Sequence, residues 1–310
     1  MNKNQPILQL PVVVTALAIL CCLLWGSAFP CIKLGYQLFE IPAGDAASQI
    51  LFAGIRFSLA GVLTILVGSF LQKKFLVPKK SSFSKVLKLS MFQTVLQYVF
   101  FYIGLAHTTG VKGSIVNAVN VFFSILVSSL LFRLEKLDWK KLAGCIIGFA
   151  GVVIVNFGGS FEMKFRLMGD GFLMISAFAY ALSTVLIKIY GKDENPVVLS
   201  GYQFFVGGLI MVVAGLGMGG RIAAVSATGL LLLLYMAFIS AGAYTIWSLL
   251  LKYNSVSKVA VFGFCTPVFG VLLSALLLGE QTGFQLKTLV ALLFVCAGIV
   301  VVNYKPGHLS

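Results

Sequence analysis

Apolar residues along this chain do not alternate with polar ones; they come in long unbroken runs. Ten runs stand out, at about 12–36, 47–70, 86–106, 113–132, 141–157, 169–189, 196–216, 228–251, 258–278 and 285–303. Lysine and arginine fall mainly in the short segments between them. A helix that crosses a bilayer needs about 20 mostly apolar residues. In hydrocarbon such a run satisfies its own backbone N–H and C=O groups only as a helix. The pattern therefore predicts an all-α integral membrane protein with ten transmembrane helices. The 141–157 run is short unless its flanks are included, and the first run is long enough to tilt or bend.

Composition agrees with lipid as the solvent. Of 310 residues, 59% are hydrophobic and only 10% are charged, against about 25% charged in a soluble domain. Mean hydropathy is +1.02. A soluble globular enzyme, a disordered chain and a fibrous protein are excluded.

Lys and Arg number 23 against 9 Asp and Glu, a net charge of +14. In a soluble chain this excess would suggest nucleic acid. Here the basic residues lie mainly in the gaps between apolar runs, so no nucleic-acid partner is expected and the excess reports topology. Ten spans put both termini on one side. With the N-terminus in the cytoplasm, the inner segments hold Lys3, the six lysines between Lys73 and Lys88, Arg133, Lys136, Lys140, Lys141, Lys188, Lys192, Lys252, Lys258 and Lys305. That is 16 of the 23, and the outer segments hold Lys112, Lys164, Arg166, Arg221 and Lys287, which is 5. This positive-inside bias predicts a multi-pass protein of the bacterial plasma (inner) membrane with both termini cytoplasmic. A signal peptide is the rival reading of the N-terminus: Lys3, the run Val12 to Leu24, then Gly26, Ser27 and Ala28. The same segment has a counterpart in the second half of the chain, which favours a span.

The chain repeats itself at about 147 residues. Ala53-Gly54-Ile55-Arg56-Phe57 with Ala60-Gly61 matches Gly201-Tyr202-Gln203-Phe204 with Gly207-Gly208. Ala150 to Asn156 matches Ala297 to Asn303, Trp25 to Lys33 matches Tyr180 to Lys188, and Ser128 to Glu135 resembles Ser274 to Glu280. Each repeat holds five spans, residues 1–157 and 158–310. An odd number makes the second copy enter the membrane from the opposite side, the inverted arrangement of many secondary transporters.

Trp25-Gly26-Ser27-Ala28-Phe29-Pro30 with Lys33 resembles the first-span signature of the EamA family in the drug/metabolite transporter superfamily. Arg56-Phe57, the stretch Thr266-Pro267-Val268-Phe269 leading to Leu278-Gly279-Glu280, and Ala297-Gly298 are similar to its later signatures. The resemblance covers roughly residues 15 to 303 in two copies. It implies ten helices and transport of small metabolites, often amino acids or related compounds, commonly outward. One departure stands out: where the second copy has Pro267 the first has Asn120 and Val121, so the helix break is expected in the second half and not in the first.

A carrier needs polar groups at depth, where they are costly. Arg56 lies about nine residues into its span, roughly 13 Å deep at 1.5 Å per residue; a central Arg costs about 2.5–3.5 kcal/mol on insertion scales. It reads equally as a substrate group or as a partner for backbone carbonyls near Pro30. Its repeat partner is Gln203. Gln93 and Gln97 share a helix face, as do Asn117, Asn120 and Ser124. Amides offer donors and acceptors to a polar ligand, or to neighbouring helices. Aromatics recur at equivalent places: Trp25 with Tyr180, Tyr98 with Tyr244, Phe101 with Trp247. They could wall a substrate cavity or simply pack. The expected substrate-binding set is Trp25, Arg56, Gln93, Gln97, Tyr98, Asn117, Asn120, Tyr180, Gln203, Tyr244 and Trp247, with Pro30 and Pro267 as hinges. Lys33 and Lys188 sit near opposite interfaces and can snorkel. Gly144 and Gly148 form a GxxxG pair that close helix packing explains.

Other chemistry is poorly supplied. The six cysteines, Cys21, Cys22, Cys31, Cys145, Cys265 and Cys296, lie in apolar stretches without metal-ligand spacing, so they read as packing residues. His107 is near an outer boundary, and Asp138, Asp170 and Glu280 are near span ends. With no acid clearly at depth and no phosphate-binding loop, gradient-driven movement is favoured over pumping. No cofactor or metal is expected. A membrane-embedded enzyme or a non-transporting sensor is the alternative; the enzyme would need a clustered nucleophile or acid/base pair. Partners are a small-molecule substrate and the lipid bilayer, with monomer and homodimer both open.

Overall fold

The computed structural model describes residues 6–42, 44–107, 113, 116–156, 165–278 and 286–304. Lys3, Lys112, Lys164, Gly279, Glu280 and Lys305, singled out above, lie outside them. Among the described residues the regular structure is entirely helical. The helices are α1 (Pro11–Leu38), α2 (Ala46–Leu71), α3 (Lys80–Leu105), α4 (Val116–Leu131), α5 (Trp139–Asn156), α6 (Leu167–Tyr190), α7 (Pro196–Gly217), α8 (Ala227–Tyr253), α9 (Val256–Leu277) and α10 (Leu286–Asn303). Their limits fall close to those of the apolar runs. Eight of them are long and apolar enough to cross a membrane, and α4 is a shorter apolar helix. The chain is a multi-span membrane protein.

Local chemistry sets the ends. The Asp45 carboxylate accepts the Ser48 N–H at 3.0 Å and caps α2, and Asn195 accepts from Val197 at 2.9 Å ahead of Pro196, the first residue of α7. Both satisfy N–H groups that a helix start leaves unpaired.

Four helices depart from regular winding, among them α6, which opens with a π turn over Leu167–Gly171. The α3 ladder widens into a π turn over Ser90–Leu96. In α9 the chain tightens into a 3-10 turn at Val261–Phe264, just before Pro267. Pro267 has no N–H for the Gly263 carbonyl, and its ring crowds that group; the Cys22 thiol donates to the nearby Phe262 carbonyl at 3.1 Å. The expectation that α4 lacks such a break is corrected. Val119 N–H donates to Val116 C=O at 3.1 Å, one residue short of the α pattern. The irregularity therefore does not depend on proline. Pro30, by contrast, sits inside α1 without ending it.

Glycines bring backbones together along two seams. A Cβ on Gly54 of α2 would lie 2.9 Å from the Gly208 carbonyl of α7, and one on Gly61 would lie 2.7 Å from the Gly201 carbonyl. Rising numbers on α2 meet falling numbers on α7, so the two helices run antiparallel. The second seam joins α5 and α10. A Cβ on Gly298 would lie 2.5 Å from the Gly144 carbonyl, and one on Gly151 would lie 2.7 Å from the Ala291 carbonyl. Gly148 takes the Phe264 ring, so the GxxxG pair serves packing within the chain. Close backbone approach is what favours helix association in lipid, where hydrophobic burial offers no net drive.

Around the seams, α1 packs against α8 and α9, and α6 packs against α3 and α4. Polar side chains such as Gln93, Thr94, Ser124 and Gln203 face inward, whereas Val213, Leu231, Phe238 and Leu293 face out.

Candidate substrate-binding site

Arg56 is carried by α2 and is almost wholly buried, at 3% exposure. Its Nε and Nη2 donate to the Ser240 hydroxyl of α8 at 3.2 and 3.0 Å, and that hydroxyl in turn donates to the Met236 carbonyl at 3.2 Å. The guanidinium carbon lies 5.1 Å from the centre of the Phe57 ring. Among the described residues no carboxylate pairs with it, and no protein group accepts from Nη1. Ser240 thus orients the fork while leaving its charge uncompensated.

Aromatic side chains gather next to it. On α8, Ser240, Tyr244 and Trp247 share one face by i, i+4, i+7 spacing. Trp25 of α1 meets Tyr244 and Trp247 edge-on, at 5.0 and 4.9 Å between ring centres. The hydroxyls of Tyr98 and Tyr244 are 2.7 Å apart. Phe57 and Phe204 stack at 5.4 Å and 6°. Tyr36, Tyr98, Phe101, Tyr102 and Tyr180 belong to the same cluster. Several polar atoms here are buried without a hydrogen-bond partner: Nε1 of Trp25 and Trp247, the Gln97 amide oxygen and the Tyr36 hydroxyl. Buried polar atoms are ordinarily paired, so a cluster of unpaired ones calls for a ligand or water. Two indole donors, an amide acceptor and a guanidinium suit a compound with both carboxylate and apolar parts.

The structure thus brings together Trp25, Arg56, Gln97, Tyr98, Tyr180, Tyr244 and Trp247 from the expected set. Gln203 is fully buried and its amide oxygen accepts from Thr94 at 2.7 Å, which ties α7 to α3. Gln93 is buried with its amide oxygen unpartnered. Asn117 and Asn120 are half-buried on α4, and no hydrogen bond among the described residues joins them to the ring cluster. Lys188 donates to the Leu251 carbonyl at 2.9 Å and to the Asn254 carbonyl, closing the end of α8. Lys33 is exposed and, with Tyr36, Gln37 and Glu40, borders an open groove of about 510 Å³ at the end of α1. Five of the six cysteines are buried, and all six are unbridged. His107 lies exposed where α3 ends.

Two acids of low exposure went unnoticed in the sequence: Glu194, 6% exposed, and Glu135, whose side chain is 9% exposed. Glu135, between α4 and α5, accepts from Ser128 at 2.7 Å, from the Ser257 N–H at 3.0 Å, from Lys141 at 2.9 Å and from the Ser257 hydroxyl. Burial alone would raise its carboxyl, but the hydrogen bonds from Ser257, Lys141 and Ser128 together hold it below the usual carboxylate range. The repeated Ser-to-Glu spacing was the available signal.

The described helices thus form an all-helical membrane bundle with a charged group sunk among rings. Comparison with known proteins gives the family: the model of the EamA-like transporter family matches twice, at residues 13–157 and 167–304, and the chain belongs to that family. An uncharacterized transporter of Bacillus subtilis, YvbV, is 27% identical over 306 residues, covering 96% of this chain and 94% of that one. A protein of Escherichia coli named "Probable amino-acid metabolite efflux pump" is 27% identical over 283 residues, covering 87% and 88%. One solved crystal structure superposes with a TM-score of 0.77 at 14% identity, covering 94% of this chain and 96% of that one. That likeness concerns the fold alone.

Proposed function

We propose that this protein carries small metabolites, such as amino acids or related compounds, outward across the bacterial plasma membrane by alternating access. The observation that carries the reading is Arg56: a buried guanidinium, uncompensated by any described carboxylate, beside unpaired indole and amide groups. It would take a carboxylate, while Trp25, Tyr98, Tyr180, Tyr244 and Trp247 take the rest of the ligand. The name of the Escherichia coli relative supports the substrate class and direction.

In this reading all ten helices cross the membrane as inverted halves, 1–157 and 158–310, with both termini cytoplasmic. The antiparallel contacts of α2 with α7 and of α5 with α10 support it, because those helices are repeat equivalents. The contact of Gly54 with Gly208 is repeated as that of Gly201 with Gly61, as a twofold relation requires. The neighbours of α1, namely α8 and α9, correspond to the neighbours of α6, namely α3 and α4. Related halves that swap conformations give inward- and outward-open states.

Protein reconstituted in liposomes and loaded with radiolabelled amino acids tests the reading. Arg56→Ala is expected to lower efflux at least tenfold with membrane abundance kept within a factor of two. Equal loss of efflux and abundance would assign Arg56 to structure instead.

A further inference from the structure

The segment from Gln72 to Lys88 carries six lysines and no acid. Its backbone is held firmly. Leu76 is buried, its N–H donates to Ser69 Oγ at 3.0 Å, and its carbonyl accepts from Tyr202 at 3.0 Å. The irregular segment around it buries Leu76 and leaves its neighbours out: Phe75 is 68% exposed and Val77 62%. Phe83, at the start of α3, is 62% exposed as well. The acids facing this segment come from the α6–α7 loop. Asp193 pairs with Lys85 at 3.2 Å, its carbonyl accepts from Lys79 at 2.9 Å, and Glu194 accepts the Lys79 N–H at 3.4 Å. The ammonium groups of Lys73, Lys74, Lys80 and Lys88 are exposed and make no ion pair among the described residues.

We propose that this segment is a binding site for anionic phospholipid headgroups, with Lys73, Lys74, Lys80 and Lys88 taking the phosphates and Phe75, Val77 and Phe83 entering the acyl boundary. Exposed aromatic and aliphatic groups between free lysines match a surface that is charged outside and apolar beneath. Lysines beside a span are drawn to an anionic leaflet, an attraction that salt screens beyond a Debye length of about 8–10 Å. The site lies at one end of the α2–α7 seam: a Cβ on Gly68 would lie 2.9 Å from Leu76 and 2.5 Å from Val197, and Gln72 accepts from Asn195 at 2.9 Å. Bound lipid would clamp α2, α3 and α7 together there. Its placement in the inner leaflet rests on the orientation proposed above.

Native mass spectrometry of the full chain with equimolar phosphatidylglycerol and phosphatidylcholine tests the site. The unaltered protein is expected to retain phosphatidylglycerol about tenfold over phosphatidylcholine. K73Q/K74Q/K80Q/K88Q is expected to fall to about twofold, whereas a charge-matched control, K136Q/K140Q/K252Q/R221Q, keeps the preference. Equal retention of both lipids, an unchanged preference in the quadruple variant, equal loss in the control, or displacement by millimolar inorganic phosphate would each overturn the proposal. Labelling of Lys74→Cys by an impermeant maleimide in intact cells would overturn the inner-leaflet placement alone, leaving headgroup binding to the spectrometric result.

Discussion

Replacing Glu135 with alanine removes one carboxylate and strands four donors at once: the Ser128 hydroxyl, the Ser257 N–H and hydroxyl, and the Lys141 ammonium. The Glu135 and Lys141 side chains are 9% and 14% exposed, so water repairs little of the loss. A hydrogen bond to a charged group contributes about 1.5–3 kcal/mol, but four on one carboxylate do not add. Breaking a fully buried pair costs roughly 3–5 kcal/mol; with the residual exposure here, about 2–3 kcal/mol is expected. Since 1.4 kcal/mol is tenfold, local opening of the start of α9 should rise by roughly 30- to 150-fold. Hydrogen–deuterium exchange at the amides around Ser257 reads this directly, and Glu135→Gln, which keeps an acceptor, should show about a tenth of the rise. A rise below about threefold in the alanine variant would refute the reasoning. The pH dependence has a definite sign. The folded carboxyl titrates below its unfolded value, so its contribution is complete above that value, near 4.3, and is lost as pH falls through the lower folded one. Protection around Ser257 should therefore be flat from pH 8 to 5 and decline below about pH 4.

Gly54→Val places side-chain carbon against the Val212 N–H, 2.6 Å from an added Cβ; the variant should lose thermal stability strongly, by more than the 1–3 kcal/mol usual for overpacking, as read by fluorescence-detected gel filtration after heating. Tyr98→Phe deletes the 2.7 Å contact with Tyr244 and should cost about 1 kcal/mol while raising the half-saturating substrate concentration in efflux assays; an unchanged value would remove Tyr98 from the site. Asp45→Ala removes the α2 cap, with an expected loss of about 0.5–2 kcal/mol and faster amide exchange confined to residues 46–49.

The helical frame was legible because lipid imposes one rule on every residue of a span. Apolar runs located the helices to within a few residues, and the spacing of Gly144 and Gly148 already marked close packing. Side-chain partners were not legible. Gln203 and Gln97 look alike in sequence, yet Thr94 occupies the oxygen of one and nothing occupies that of the other; helix rotation and crossing decide this, and the apolar pattern does not encode them. The irregular turn in α4 was missed for a related reason. It sits at Val116 and Val119, β-branched residues without the missing N–H that announces Pro267. Glu135 was overlooked because a loop carboxylate beside lysines reads as solvated, and only the fold brings Ser257 onto it from 122 residues away.

The internal relation between the halves extends into the candidate site, but only up to the charge. Tyr98 meets its equivalent Tyr244, and Phe57 stacks on its equivalent Phe204, so rings from both halves share the middle of the molecule. Arg56 has no such counterpart: its equivalent, Gln203, is uncharged and buried, and its amide oxygen accepts from Thr94. Under the alternating access proposed above, a ligand carboxylate anchored on Arg56 would stay beside α2 and α8 while either end opened. Installing the missing charge as Gln203→Arg should accordingly lower efflux of a monocarboxylate substrate, because it breaks the Thr94 hydrogen bond and places a second guanidinium at a fully buried position; unchanged efflux and membrane abundance would refute this.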